Sequence, residues 1–145
     1  MKFRLLAVFF SSLVLFGCCH SQPVTAEKML ELGSALTKLS TAVESTVRYK
    51  NPPSGSSDFE LLAMATQHDP DLLKPFMEYK LLVLSQDKHA VVLVCTKDGK
   101  AGLLEDAGCS ARLDSHLWEE KPVRPCEFTL KVQEVCKRQM PAGTQ

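Results

Sequence analysis

The apolar stretch from Lys80 to Glu105, KLLVLSQDKHAVVLVCTKDGKAGLLE, constrains the fold more than any other part of the chain. Its centre, Val91 to Val94, consists of β-branched and aliphatic residues and is too short to form a buried helix. Asp98-Gly99 follows, and this dipeptide suits a type I′ hairpin turn because both central residues of that turn need a positive φ. A two-residue loop at this position would place Cys95 opposite Gly102.

A second apolar run, Leu81 to Leu84, comes before the polar residues Ser85 to Lys88, which indicate a turn. The pattern therefore predicts a meander of three short antiparallel strands. A single hairpin with a loop on one side is the alternative that remains open. Farther along the chain, apolar residues from Cys126 to Val132 alternate with polar ones, and this period of two predicts a half-exposed strand.

The first helix is predicted from Thr25, which can cap it, to about Lys50. Apolar residues recur along it at steps of three and four, as on one face of an amphipathic helix. Glu44 and Arg48 lie on the opposite, polar face, where their i,i+4 spacing favours an ion pair. The helix lies either across its own sheet or against another chain. The residues of the apolar face are Met29, Leu32, Leu36, Leu39, Val43 and Val47.

A second helix is predicted from Asp58 to Gln67, because Ser57 and Glu60 have the spacing of a capping box. The predicted fold class is therefore α+β: two N-terminal helices packed on a small antiparallel sheet, with a disulfide-stabilised C-terminal half. Residues 25–136 are expected to form this single α+β domain. The polar residues 137–145 are expected to form a flexible tail.

The charge balance argues against two classes of partner. The chain carries 17 basic and 17 acidic residues, and removal of Lys2 and Arg4 with a leader would leave 15 basic ones. Nucleic-acid-binding proteins show clustered Lys and Arg with interleaved aromatic residues, a pattern that this sequence lacks. The sequence also lacks a polybasic patch of the kind that binds anionic lipids. We therefore expect no nucleic acid as a partner.

Residues 1–17 have the three parts of a secretory signal peptide. Lys2 and Arg4 form a short positive region, and the apolar run from Leu5 to Phe16 is interrupted only by two serines. Gly17 supplies a small residue at the end of the run. Because the run is too short for a stable membrane span, we predict export to an oxidising compartment, where cysteines form disulfides.

The end of this leader, Leu15-Phe16-Gly17-Cys18, resembles the lipobox of bacterial lipoproteins. The resemblance implies that Cys18 becomes the mature N-terminus and carries a lipid, with residues 18–24 as a tether. The absence of Asp at position 19 implies anchoring in the outer membrane of a Gram-negative host, on the periplasmic side. Ordinary secretion, with cleavage after Cys19 or Ser21, is the alternative.

Four cysteines lie in the predicted domain and allow three disulfide connectivities. The order of elements favours Cys109–Cys126, which would close the excursion between them, and Cys95–Cys136, which would tie the tail to the sheet. Cys19 has no partner within the domain. A metal site is disfavoured, because the sequence contains no CxxC pair and the cysteine spacings are 14, 17 and 10.

Catalytic motifs are absent from the sequence: it contains no GxSxG, GxxxxGK[ST], GxGxxG or HExxH. Two acidic groupings could in principle carry chemistry. Asp114, His116, Glu119 and Glu120 resemble a metal-ligand cluster, and Glu105-Asp106 with Asp114 could act as an acid–base pair. A solvated polar set and a charged rim are the simpler interpretations. We therefore predict that the protein is not an enzyme and needs no cofactor.

The loop from Ser110 to Pro125 is the candidate binding loop, with Asp114, His116, Trp118 and Arg124 as its contact residues. Trp is enriched at binding hot spots, but it is also an ordinary core anchor. The predicted function is that of a binding or accessory module whose partner is an unknown protein or envelope component. A small periplasmic hydrolase that uses Asp114 and His116, or a subunit that self-assembles through the first helix, are the alternatives.

We expect the exported protein to incorporate a radioactive fatty acid and a Cys18→Ser variant to lose the label, because the lipid would be carried on that sulfur. Fluorography of the immunoprecipitated protein measures the incorporation. A Cys19→Ser variant serves as the control and should keep the label. Labelling that persists after Cys18→Ser would contradict the lipid anchor.

Overall fold

The computed structural model describes residues 24–110 and 112–136. The predicted signal peptide, Cys18, nearly all of the tether and the predicted tail lie outside these residues. Within them, no helix has both the length and the apolar character to cross a membrane. The elements are α1 (Ala26–Tyr49), α2 (Asp58–Ala65), a 3₁₀ helix (Pro70–Phe76), β1 (Tyr79–Gln86), β2 (His89–Thr96), β3 (Gly102–Ala107), β4 (Arg112–Asp114) and α3 (Val132–Cys136).

The four strands form one antiparallel meander in the order β1-β2-β3-β4. The mixed α+β class is thereby confirmed, and so are the three central strands. Cys95 pairs with Gly102, as expected from the sequence, with a register shift between Val94 and Cys95. The short β4 lies within the segment from Ser110 to Pro125 that the sequence analysis assigned to a loop.

The type I′ turn lies in the first hairpin and not in the second, where it was predicted. Asp87 and Lys88, with φ of 52° and 62°, form the two-residue loop between β1 and β2. These two positive φ values are those of a type I′ turn. Gly99 alone has a positive φ in the second hairpin, and its N–H donates to the Thr96 carbonyl at 2.8 Å. The predicted type I′ turn at Asp98-Gly99 is therefore wrong, because the Asp98 carboxylate accepts from the Lys100 N–H and holds a different turn.

Helix α1 lies across its own sheet. All six residues of its predicted apolar face are buried, and four of them have no exposed surface. They pack into one cluster with Val92, Val94 and Leu104 on strands β2 and β3. The interpretation that the helix packs on its own sheet is therefore confirmed, because its apolar face is buried within the chain.

Helix α2 begins with the predicted capping box. Ser57 Oγ accepts from the Glu60 N–H at 3.3 Å, and the Glu60 carboxylate accepts from the Ser57 N–H at 2.7 Å. The hydrogen bonds to Ser57 lower the pKa of Glu60. Leu61 and Leu62 bury this short helix against α1 and β1.

The other face of the sheet is covered by residues 126–136. The predicted strand from Cys126 to Val132 is wrong: the segment alternates in burial, but it joins no ladder of the described sheet, and α3 begins at Val132. One isolated bridge joins Ala101 to Pro125. The reason is that the amides of Thr129 and Leu130 donate to a side chain, Glu105, rather than to a neighbouring strand.

The two disulfides lie in the C-terminal half, but the predicted pairing is wrong. The bridges are Cys95–Cys126 and Cys109–Cys136. Pro125 forms a bridge with Ala101 just before β3, and Thr129 and Leu130 donate to Glu105 farther along that strand. Cys126 therefore arrives beside the start of β3, where Cys95 pairs, and Cys136 arrives beside its end, where Cys109 follows.

We expect Leu36→Ala to lower the free energy of unfolding by about 2–5 kcal/mol, because truncation of a fully buried leucine leaves a cavity between helix and sheet. Urea denaturation followed by circular dichroism measures the change. Leu30→Ala on the same helix is the matched control. Leu30 is 77% exposed, so its truncation should change the stability by less than about 0.5 kcal/mol.

Candidate functional site

Strand β3 is buried along its whole length, although it contains two adjacent carboxylates. Glu105 and Asp106 each have no exposed surface. The expectation of a charged rim formed by these residues and Asp114 is therefore wrong. Because successive side chains of a strand point to opposite faces, the two carboxylates serve different sides of the sheet.

Glu105 holds the covering segment on the face opposite to α1. Its carboxylate accepts from the Thr129 N–H at 3.0 Å, from Thr129 Oγ1 at 2.6 Å and from the Leu130 N–H at 2.9 Å. Hydrogen bonds to a charged acceptor are shorter and stronger than neutral ones. This carboxylate therefore has a structural role and lies out of contact with solvent.

Asp106 lies on the face that α1 covers. Ser40 Oγ donates to Asp106 Oδ2 at 2.5 Å, while Oδ1 is buried without a hydrogen-bond partner among the described residues. Burial raises the pKa of Asp106, and the hydrogen bond from Ser40 opposes that rise. The side chain fixes α1 on the sheet but is ionised only at a cost in free energy.

Glu44 occupies a position that the helical pattern assigned to the exposed face. The structure buries it instead, with 5% of the residue exposed. Its Oε1 lies 2.6 Å from His89 Nδ1, and its Oε2 accepts from the Ala90 N–H at 2.7 Å. The predicted ion pair with Arg48 is therefore wrong, because the start of β2 brings a backbone N–H and an imidazole to this carboxylate.

A cluster of reactive side chains forms where β2 begins and β3 ends. A ring nitrogen of His89 and the Sγ atoms of Cys109 and Cys136 all lie within 4.8 Å of one another. Gly108 makes this approach possible, because a Cβ at this position would lie 2.3 Å from the Ser40 carbonyl oxygen and 2.8 Å from Glu44 Cβ. The turn after β3 therefore lies directly on α1.

The candidate loop is not assembled into one contact surface. Asp114 Oδ1 accepts from the His116 N–H at 3.2 Å, and the exposed His116 lies 3.5 Å from Glu119. Trp118 is partly buried and packs against the main core, as an anchor does. Arg124 forms a two-bond ion pair with Glu120, in which its Nη2 donates to Oε1 at 2.8 Å. These contacts satisfy each side chain locally.

A small groove nevertheless brings two of these residues together. His116 and Trp118 line it with Leu30, Gly33 and Leu113, and its volume is about 290 Å³. Leu30 is 77% exposed at its rim. Asp114 and Arg124 lie outside its lining.

A larger groove lies between α2, the 3₁₀ helix and β1, and we call it the α2–β1 groove. Its volume is about 580 Å³. The two most exposed apolar side chains on it are Phe59 at 79% and Met77 at 77%. Sequence reasoning missed both residues, although Phe59 lies between Ser57 and Glu60 of the predicted capping box. The lining is Phe59, Leu62, Leu73, Met77, Tyr79 and Leu81, among others.

Within residues 24–110 and 112–136, strand β1 pairs with β2 alone and so forms an edge of the sheet beside this groove. Asp58 Oδ1 accepts from the outward N–H of Val83 at 3.2 Å. Because N–H groups alternate in direction along a strand, the amides of Leu81 and Ser85 also point away from β2. The α2–β1 groove therefore ends on a strand edge with backbone groups directed outward.

Comparison with known proteins gives no family assignment: no family model, curated protein or solved structure matches the chain significantly.

We expect Asp106→Asn to become more stable relative to the wild type as the pH rises above about 3.9, the ordinary pKa of Asp. An acid whose pKa is raised by folding destabilises the fold when it ionises, and this effect grows until the pH passes the folded pKa. The substitution removes that ionisation. Urea denaturation at a series of pH values measures both proteins.

Asp98→Asn is the control of opposite sign. Hydrogen bonds from Thr96 and Lys100 lower the pKa of the exposed Asp98, so its ionisation stabilises the fold. The free energy of unfolding of Asp98→Asn should therefore fall relative to that of the wild type as the pH rises through the same interval. A flat profile for Asp106→Asn would contradict the role of burial.

Proposed function

We propose that the protein is an exported, lipid-anchored binding module that docks an extended apolar segment of another protein in the α2–β1 groove. The observation that carries the proposal is the exposure of Phe59 and Met77, 79% and 77% respectively, in the lining of one groove. Large exposed apolar side chains on a concave surface are typical of interaction sites.

The strand edge supports an extended occupant. A peptide that lies beside β1 can pair with the outward groups of Leu81 and insert alternate side chains between Phe59 and Met77. Asp58 occupies the next outward amide, that of Val83. The docked segment is therefore short, and the same aspartate limits uncontrolled pairing of sheet edges.

The signals at the N-terminus support a place on the periplasmic side of the envelope, with ordinary secretion as the alternative. Residues 18–24 would connect the lipid on Cys18 to α1 and span at most about 25 Å. Two disulfides within the described residues are compatible with an oxidising compartment. The tether would keep the module close to the membrane. Its partner would be a protein anchored in that membrane or secreted to the same compartment.

We expect a photoreactive amino acid at position 59 or 77 to crosslink the native partner in the host envelope, and the same amino acid at position 30 not to. Leu30 is the matched control, because its exposure of 77% equals that of Met77 and it lines the other groove. Mass spectrometry of the crosslinked peptide should identify a segment with apolar residues at alternate positions.

The affinity of the protein for that segment is measured with a labelled synthetic peptide. Phe59→Asp or Met77→Asp should weaken it at least about tenfold in fluorescence polarisation, as expected for an apolar hot spot. Leu30→Asp should bind with unchanged affinity, and circular dichroism should show all three variants folded. Equal crosslinking from position 30, or crosslinks to β1 of a second copy, would contradict the proposal.

A further inference from the structure

We propose that Cys109–Cys136 is an exchange-active disulfide that reacts with external dithiols, and that His89, positioned by Glu44, assists its opening. This inference does not depend on the proposed binding function. It rests on the convergence of a buried carboxylate, an imidazole and a disulfide at one end of the sheet.

The carboxylate determines how the imidazole is held. Glu44 Oε2 accepts from the Ala90 N–H, so the group acts as an acceptor, and His89 Nδ1 then donates to Oε1. A hydrogen bond of this kind fixes the tautomer and the orientation of the ring. The opposite ring nitrogen, Nε2, has no hydrogen-bond partner among the described residues. With 14% of its side chain exposed, His89 is shielded but not sealed from solvent.

The two disulfides both border apolar clusters, but an imidazole lies beside one of them. Cys95 packs with Leu93 and Leu117, and Cys136 packs with Val91 and Val135. Cys109 and Cys136 lie beside the imidazole, within 4.8 Å of a ring nitrogen. A thiolate that leaves a disulfide carries a full negative charge, and a nearby imidazole that can become positively charged stabilises it.

Burial assigns the direction of attack. Cys136 is 4% exposed, whereas Cys109 is partly exposed on the turn after β3. The thiolate of a dithiol attacks Cys109 Sγ, the bond between the two cysteines breaks, and Cys136 leaves as a thiolate beside His89. The second thiol of the reagent then attacks its own sulfur in the mixed disulfide and releases Cys109. Two electrons pass from the dithiol, which becomes a disulfide, and both cysteines take up protons.

The fold confines the structural effect of this opening. Glu105 and the Cys95–Cys126 bridge hold the covering segment at its middle and at its start. Opening of the second bridge therefore releases α3 from the turn at Cys109, while the sheet keeps its cover over Leu93.

Dithiothreitol reduction of the purified mature protein, quenched with an alkylating reagent and mapped by peptide mass spectrometry, tests the proposal. We expect Cys109–Cys136 to open at least about tenfold faster than Cys95–Cys126. His89→Gln should slow the first reaction by a similar factor and leave the second unchanged. His116→Gln, at an exposed histidine beside Glu119, is the matched control and should change neither rate.

Two further readouts separate assistance by His89 from a loosened fold. Equilibration with glutathione should place the adduct on Cys109, and His89→Gln should leave the exchange constant of this bridge unchanged, since assistance to a leaving thiolate alters the rate and not the equilibrium between disulfide and protonated thiols. Equal opening rates for both bridges would overturn the proposal. So would an unchanged rate in His89→Gln, or acceleration of both bridges together, since the latter indicates general loosening.

Discussion

The carboxylate of Glu105 is the interaction on which the arrangement of the C-terminal half depends. It lies in a strand with no exposed residue, and it accepts the backbone amides of Thr129 and Leu130. A buried carboxylate without donors would be strongly destabilising, so the sheet and the covering segment need each other. Residues 126–136 thereby shield Val91 and Leu93, which α1 does not cover.

Buried acids recur on the other side of the sheet. Asp106 and Glu44 connect α1 to β3 and β2, through Ser40 and Ala90 respectively. A helix that rests only on apolar contacts can slide or rotate with little penalty, whereas a directional hydrogen bond from a buried carboxylate fixes one position. Gly108 then fits against α1 only in that position, because a Cβ there would overlap the Ser40 carbonyl.

The two proposed sites lie at opposite ends of the β1–β2 hairpin. Tyr79 and Leu81 border the α2–β1 groove at the start of β1, while His89 follows the turn at its end. Each site also uses groups that do not take part in packing the main core. The groove exposes apolar side chains beside an open strand edge, and the cluster places a disulfide beside an imidazole. Separation along the hairpin lets the two activities be tested by different variants.

Local pattern alone determined α1 from its Thr25 cap through its buried stripe, the capping box of α2, and the three central strands, because these features depend on near neighbours in sequence. Tertiary structure decided which cysteines pair, that the segment from Cys126 bonds to a side chain rather than a strand, and that Glu44 and Glu105 are buried. The reason is physical: a charged residue can be buried wherever distant donors reach it, and those donors lie 24 to 46 positions away along the chain.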